Sequence, residues 1–467
     1  MKIAKKLMSV PLPLRLLLVA IATIGLYQGC GAPIAQSNPA TTESATPLPP
    51  GTRPDSQDAE AVESTPTDSE AVTDETAEGE ATENAEPAAV VACDLAAQLE
   101  YIDNAGSTGS IESTGITEST PSVTYNVIDE QEADQYEVPG SDVFKSSALP
   151  NQAVDFDERA LLTVLHNTRT YFTEQSCQDQ KILQDGILET QGVTVEDVIA
   201  TLDFMITTIS EDIKAGQPTR LKDTEFINAN FEVIRWLAYD PSYLDELRTR
   251  ITKYAVFTHA GSRERTELYN TPVYKIKDDI ENEDFITRYT KQEALSGIFE
   301  PGGVEHGKVE TLAYLTREGL EDALLQGTAF VTFPDGTTTY FNVDKNNGIA
   351  YVPGLAQPQQ ERFWYFKEVN KLNGYGHSSD TKIQIEPGVT FAGDVLNIGL
   401  GKIVAIEDRN QNLRIGIIAD TGGAFLPNLH QLDFFAGVFP DRATYQEAVQ
   451  QLPEYTPTYF LVKKQVE

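Results

Sequence analysis

Residues 413–438 read LRIGIIADTGGAFLPNLHQLDFFAGV, and this stretch decides what architecture the chain is expected to have. A buried-type apolar strand, Ile415 to Ala419, delivers Asp420. Thr421-Gly422-Gly423 follows, a backbone that can turn sharply and let a ligand approach. Thirteen residues after Asp420, Asp433 opens a second apolar strand, Phe434-Phe435, closed by Gly437. Two carboxylates therefore stand at strand ends beside a glycine turn. Carboxylates hedged by Phe, Leu and Ile have raised pKa values, which a general acid needs. Spacing alone leaves a second reading open, in which Asp420 caps the turn and Asp433 bonds backbone amides.

Outward from this stretch the texture stays β-like as far back as residue 254. Short β-branched and aromatic runs are punctuated by turn residues. Thr328–Phe333 and Thr338–Val343 flank Pro334-Asp335-Gly336, a hairpin signal, and strands are expected at 362–367, 382–385, 395–398, 403–406 and 414–419. Before residue 254 the period is helical. Leu161, Val164, Leu165, Tyr171 and Phe172 mark one helix; Thr194-Val195-Glu196-Asp197 starts a second. A third is expected over 223–238 and a short fourth near Pro241. The fold class is mainly β with N-terminal helices, and few helices interrupt the strands, which favours a β-barrel over a doubly wound sheet.

The 467 residues carry 35 Lys+Arg against 71 Asp+Glu, a net charge of −36. That excludes nucleic acid as a partner, because phosphate binding needs clustered cations. Residues 31–140 hold 23 acids and one base, Arg53. Residues 31 to about 90 have almost no large apolar side chain, so they cannot offset chain entropy by burial and are read as a tether. Sixty such residues reach roughly 45 Å. The expected tether runs over 31–150, with residues 94–150 less biased but without a long periodic run.

Residues 1–30 are an address label. Lys2, Lys5, Lys6 and Arg15 precede the apolar run Leu16–Leu26, too short to span a bilayer and suited to a signal peptide. Gly29-Cys30 then resembles a bacterial lipobox, with Cys30 as the lipidation site; cleavage after Ala35 is the alternative. Both readings export the protein to the cell envelope. Cys93 and Cys177 remain as an even pair in an oxidising compartment, a candidate disulfide. His166, His259, His306, His377 and His430 are scattered, with no HExxH and no Cys/His spacing, so no metal is expected. No phosphate loop and no G-x-S-x-G elbow occurs, and no cofactor is expected.

"ADTGGAF…DFFAG" resembles the signature of the three-aspartate (3D) domain. That domain is a double-psi β-barrel element of the membrane-bound lytic murein transglycosylase A (MltA) family. Further pieces follow in the family's order: FINANFEV (226–233), VFTHAGSRERTELYNTPVY (256–274), LTREGLEDALLQG (315–327), DGTTTYFNVDKNNGIAY (335–351), FWYFKEV (363–369) and IQIEPGV (383–389). Together they span about 226–438. Departures are clear. The family's GYYEP block is replaced after Phe257-Thr258 by His259-Ala260, and its QGSG segment is absent. The first of its three aspartates stands here as Glu386, and its "IKG" as Phe425-Leu426-Pro427.

The resemblance implies a lytic transglycosylase acting on peptidoglycan glycan strands. Asp433 would be the acid/base group, tuned by Asp420. Thr421, Gly422, Gly423 and Glu386 would shape the sugar site, while Trp364 and Tyr375 are candidates for stacking on sugar rings or, alternatively, for packing. It implies a double-psi barrel from 151–262 plus 376–467, with a smaller β domain, 263–375, inserted, and the groove between them. A lipid at Cys30 would hold the protein on a membrane, the outer membrane favoured. Two other readings stand beside it: a non-catalytic glycan-binding lipoprotein, and a scaffold that docks other cell-wall enzymes on its tail.

Overall fold

The computed structural model describes Leu95 and residues 123–129, 135–280, 284–352, 354–423, 425 and 427–465. They belong to one unit of the chain, Glu86–Glu467. The leader, Cys30, Cys93 and the acidic stretch before residue 123, Leu95 apart, lie outside the described residues.

The chain enters through β1 (Thr124–Asn126), β2 (Glu137–Pro139), the one-turn helix α1 (Gly140–Val143), β3 (Phe144–Ser147) and β4 (Val154–Asp155). The expected tether is too long at this end: Tyr125, Val127, Val138, Val143, Phe144 and Leu149 are all buried in the main core. Strands of two to four residues are too short to show a period; β1 and β2 pair with each other, while β3 is held by β5 and β4 by β14.

Helix α2 (Glu158–Gln175) begins where the Asp157 carboxylate accepts from the amides of Arg159 and Ala160. It buries Leu161, Val164, Leu165, Thr168, Tyr171 and Phe172, one face at helical spacing. Helix α3 (Val195–Ala215) starts in a reciprocal capping box between Thr194 and Asp197 and stops at Gly216 in the left-handed region. The third expected helix is cut short. Helix α4 (Thr224–Asn230) gives way to strand β5 (Phe231–Trp236), whose β-branched and aromatic FEVIRW run buries Phe231, Val233, Ile234 and Trp236 and suits a strand. Turns, not a helix, fill the chain after Pro241.

The remaining elements are β6 (Thr249–Ala260), β7 (Thr271–Ile276), α5 (Lys291–Ala294), β8 (Val309–Leu315), α6 (Arg317–Gln326), β9 (Thr328–Thr332), β10 (Thr338–Asn346), β11 (Trp364–Val369), β12 (Thr390–Ala392), β13 (Ile403–Glu407), β14 (Leu413–Asp420), β15 (Gln431–Phe439), α7 (Arg442–Ala448), β16 (Tyr455–Thr456) and β17 (Thr458–Lys463). The fold is thus mainly β with helices concentrated near the start. Residues 395–398, expected as a strand, form a buried turn.

One sheet runs in the order β11-β10-β9-β6-β15-β12-β14-β13-β17-β5-β3, with β16 on β6 and β4 on β14. Two hydrophobic cores lie along it. The first joins the entry strands, α2, α3 and the strands from β12 to β17. The second draws on residues 273–366, including Phe285, Phe299, Phe341, Phe363 and Phe366. Strand β6 belongs to both lobes. It lies parallel to β15 over Arg250–Phe257, and parallel to β9 over Thr258–Ala260.

Candidate active site

Strand β14 is buried from Ile415 to Ala419 and surfaces at Asp420. The three-residue strand β12 is wedged between β14 and β15, and its Ala392 is in register with Asp420 on one side and with Asp433 on the other. The two aspartates therefore stand level, two strand spacings apart, about 9–10 Å between backbones. On the far side of β15, Thr252 of β6 is in register with Asp433, and Tyr254 is in register with Phe435.

The two carboxylates are held differently. Tyr254 donates its phenol proton to Asp420 Oδ2 at 2.6 Å, and the Thr421 amide donates to Oδ1 at 2.8 Å. Burial pushes the Asp420 carboxyl up to about 6, while the Tyr254 and Thr421 bonds and the Lys382 charge oppose the rise. Asp433 has less help. Its Oδ1 is sealed from solvent and has no hydrogen-bond partner among the described residues. Burial pushes its carboxyl up to about 7; the Asp420 charge adds to the rise, and Thr252, Lys253 and Arg250 oppose it. A carboxyl with that value is a proton donor and, once ionised, an acceptor near neutral pH.

The Phe435 ring lies 5.0 Å from that of Tyr254, while Phe391 and Phe434, the pair next to Ala392 and Asp433, meet edge to face at 5.5 Å on the opposite face of their strands. Register slips between Phe435 and Val438, where Gly437 takes φ 120°, a bulge that a side chain would strain. Pro387 lies 3.1 Å from where a Cβ on Gly437 would sit.

The loop after Asp420 is exposed at Thr421, Gly422 and Gly423. A Cβ on Gly423 would meet nothing within 4 Å, so the local fold does not demand glycine there and its absence of side chain keeps that space open. The Thr421 hydroxyl donates to the Gly393 carbonyl at 2.8 Å. Glu386 does not join the aspartates by a hydrogen bond among the described residues. Its Oε1 accepts from Gln384 Nε2 at 3.4 Å, and its charge acts on Tyr340.

The two stacking candidates already have partners. Trp364 lies under the Arg362 guanidinium at 4.3 Å and packs against Gly327, where a Cβ would come within 2.7 Å of the indole. Tyr375 donates to Asp179 Oδ2 at 2.9 Å and meets Tyr171 edge to face. Cys177 is disulfide-bonded; Cys93 lies outside the described residues.

Sequence reasoning missed several participants. Tyr254 and Thr252 sit in TRITKYAVF, where alternate polar residues on an otherwise apolar strand were the available signal. Lys382 donates to Asn342 Oδ1 at 2.6 Å and to the Val343 carbonyl at 2.9 Å, tying the edge of the aspartate site to β10. No spacing announces that contact. Phe330 and Tyr340 stack at 4.3 Å across β9 and β10, both partly exposed, and burial followed by the Glu386 charge raises the Tyr340 phenol. Among the described residues no group of three His, Cys, Asp or Glu could hold a metal ion, and no helix is long and apolar enough to cross a membrane.

No protein-family model matches the chain, and no curated protein matches its sequence. Solved structures do. A membrane-bound lytic murein transglycosylase from Agrobacterium tumefaciens is similar at 15% identity over 69% of this chain and 98% of that one, with a TM-score of 0.49. MltA from E. coli with bound chitohexaose is similar at 15% identity over 69% and 95%, TM-score 0.45. MltA from Neisseria gonorrhoeae is similar at 16% identity over 66% and 89%, TM-score 0.40. At these scores the likeness carries no argument about the site.

Proposed function

We propose that this protein is a peptidoglycan lytic transglycosylase of the MltA kind, with Asp433 as its single acid/base group. One observation carries the reading: a carboxyl shifted to about 7, with a sealed and unpartnered oxygen, standing level with a second carboxylate at a strand-end turn. The sequence signature around Asp420 and Asp433 supports the choice of substrate.

The scissile bond joins C1 of N-acetylmuramic acid to O4 of N-acetylglucosamine. Protonated Asp433 donates to that bridging oxygen, and the glucosamine leaves with a C4 hydroxyl. The Asp433 carboxylate then accepts the proton of the muramic acid C6 hydroxyl, whose oxygen bonds to C1. The product is 1,6-anhydro-N-acetylmuramic acid, and no water enters. An ordinary glycosidase needs a second carboxyl to activate water or form a covalent intermediate. Intramolecular attack removes that need, so one group serves both steps. Asp420, held by Tyr254, keeps a negative charge beside Asp433 and favours its protonated form. The partly exposed Phe330–Tyr340 pair, rather than Trp364 or Tyr375, offers an apolar surface to a sugar ring. Export, lipid attachment at Cys30, and a seat in the cell envelope complete the reading, with the acidic stretch as a tether.

The deciding experiment is a digest of purified peptidoglycan by the mature chain, read by mass spectrometry, with Asp433→Asn alongside. Anhydro-muropeptides from the unaltered protein, and a loss of about 1,000-fold or more in the variant, are expected for an acid/base group. Reducing-end products would mean hydrolysis. Retained wall binding without any product would favour the glycan-binding lipoprotein, a reading to which the position of Glu386, bonded to Gln384 and not to the aspartates, gives some ground.

A further inference from the structure

Gly393 and Asp394 leave β12 between the two aspartate strands and meet both ends of the loop that joins them. At the near end the Gly393 amide donates to the Asp420 carbonyl at 3.1 Å, and the Thr421 hydroxyl donates to the Gly393 carbonyl at 2.8 Å. At the far end the Asn428 amide donates to Asp394 Oδ2 at 2.8 Å. Asp394 is 0% exposed. Its Oδ1 also accepts from the Asn397 amide at 2.9 Å, and its Oδ2 from Asn397 Nδ2 at 2.8 Å. Three donors converge on one carboxylate, and none of them is a cation. Only an acceptor with no proton of its own can satisfy all three; an amide would turn N–H against N–H.

Asn397 carries the chain of bonds outward. It too is 0% exposed, and its amide grips one backbone unit of the entry segment. Ile128 N–H donates to Asn397 Oδ1 at 2.7 Å, and Asn397 Nδ2 donates to the Ile128 carbonyl at 2.9 Å. The Tyr125 hydroxyl donates to the same Oδ1 at 3.4 Å. Residues 123–129 are thereby bonded, through two buried side chains, to a point five residues before Asp433.

We infer that Asp394 is a positioning residue for the Asp420–Asp433 pair, and that the entry segment 123–129 completes it through Asn397. The inference rests on Asp433 acting as the acid/base group. Asp394 touches no substrate; it sets where the far end of the loop lies, and so where Asp433 stands relative to Asp420. An error of about 1 Å in such a placement costs about 100-fold in rate.

The test compares the mature chain with Asp394→Asn and Asn397→Ala. Turnover on peptidoglycan is expected to fall about 10–100-fold in kcat for Asp394→Asn, and less for Asn397→Ala, with KM changed less than about twofold. Hydrogen exchange is expected to rise in peptides covering 421–433 and to stay at the starting level in β10 and β11. The Asp433 carboxyl carbon, followed by NMR, is expected to titrate at a lower pH in both variants as water reaches the loosened site. Unchanged kcat with unchanged exchange in 421–433 would overturn the inference. So would exchange that rises across the whole sheet while kcat per folded molecule holds, the mark of a merely structural group. If the unaltered chain makes no product, the proposed activity fails, and exchange and titration still decide whether Asp394 places the loop.

Discussion

Glu321 in the second lobe and Asp433 in the first are acids that the fold treats in opposite ways. In the second lobe Glu321 lies 2.6 Å from the ammonium of Lys291 and within 2.6 Å of Arg317, and Lys291 also donates to the Gln357 carbonyl. The cluster fixes α5, α6 and the chain near residue 357 to one another. Among the described residues Asp433 in the first lobe has no ion pair, and its Oδ1 has no hydrogen-bond partner. Burial with satisfied valence is architecture. At Asp433 burial without a full set of partners favours the protonated carboxyl, and that separates it from Glu321.

Breaking the satisfied cluster should cost most. Glu321→Gln leaves the Lys291 ammonium buried and uncompensated, and is expected to lower stability by about 3–5 kcal/mol in urea unfolding. Asp433→Asn is expected to leave stability unchanged or raised. A large loss on Asp433→Asn would erase the contrast.

The second effect is the response to pH. Asp433 titrates near 7 in the folded chain and near 3.9 when unfolded, so the folded state binds more protons between those values. Stability contributed by its proton is full below about pH 4, declines as pH rises, and is gone above about 7. The loss is at most about 4 kcal/mol. Asp420 adds a smaller decline ending near pH 6. Urea unfolding from pH 4 to 8 should show a downward slope that Asp433→Asn flattens; a slope unchanged by the variant would contradict the placement.

Tyr254→Phe sharpens the contrast further. It removes the 2.6 Å donor that favours ionised Asp420. A hydrogen bond to a charged group is worth about 1.5–3 kcal/mol, so Asp420 should titrate about 1–2 units higher. The acid limb of the pH–rate profile is expected to move the same way. The smallest effect belongs to Phe330→Ala. Losing a stacked aromatic is worth about 0.5–1.5 kcal/mol. KM for long glycans should rise a few-fold with kcat held, and an equal fall in kcat would place Phe330 nearer the chemistry.

How much of this was legible beforehand follows physical lines. The strands around Asp420 and Asp433 read clearly, because buried apolar runs bounded by glycine leave few alternatives. The hairpin at Pro334-Asp335-Gly336 did so through turn chemistry. FEVIRW reads as helix from sequence because a strand that follows a helix without a break shows no boundary residue. Val395 to Ile398 reads as a strand because a buried turn is as apolar as one; the bonds that close it run locally, from the Asn397 and Ile398 amides back to Asp394. Tyr254, Lys382 and Asp394 entered the site through pairing between strands far apart in sequence, which no local period encodes.

Strand β6 carries a last consequence. Its first half holds Thr252 and Tyr254 against the aspartates, and its last residues are woven into the neighbouring lobe. Twelve extended residues span about 40 Å without a joint. Such a strand works as a strut. Any occupant that levers the lobes about the space between them must twist β6, and the twist arrives at the Tyr254 hydroxyl. On the proposed function, seating a long glycan against both lobes and readying the proton would become a single mechanical event, and short fragments that cannot load the strut would be cut slowly even where they bind.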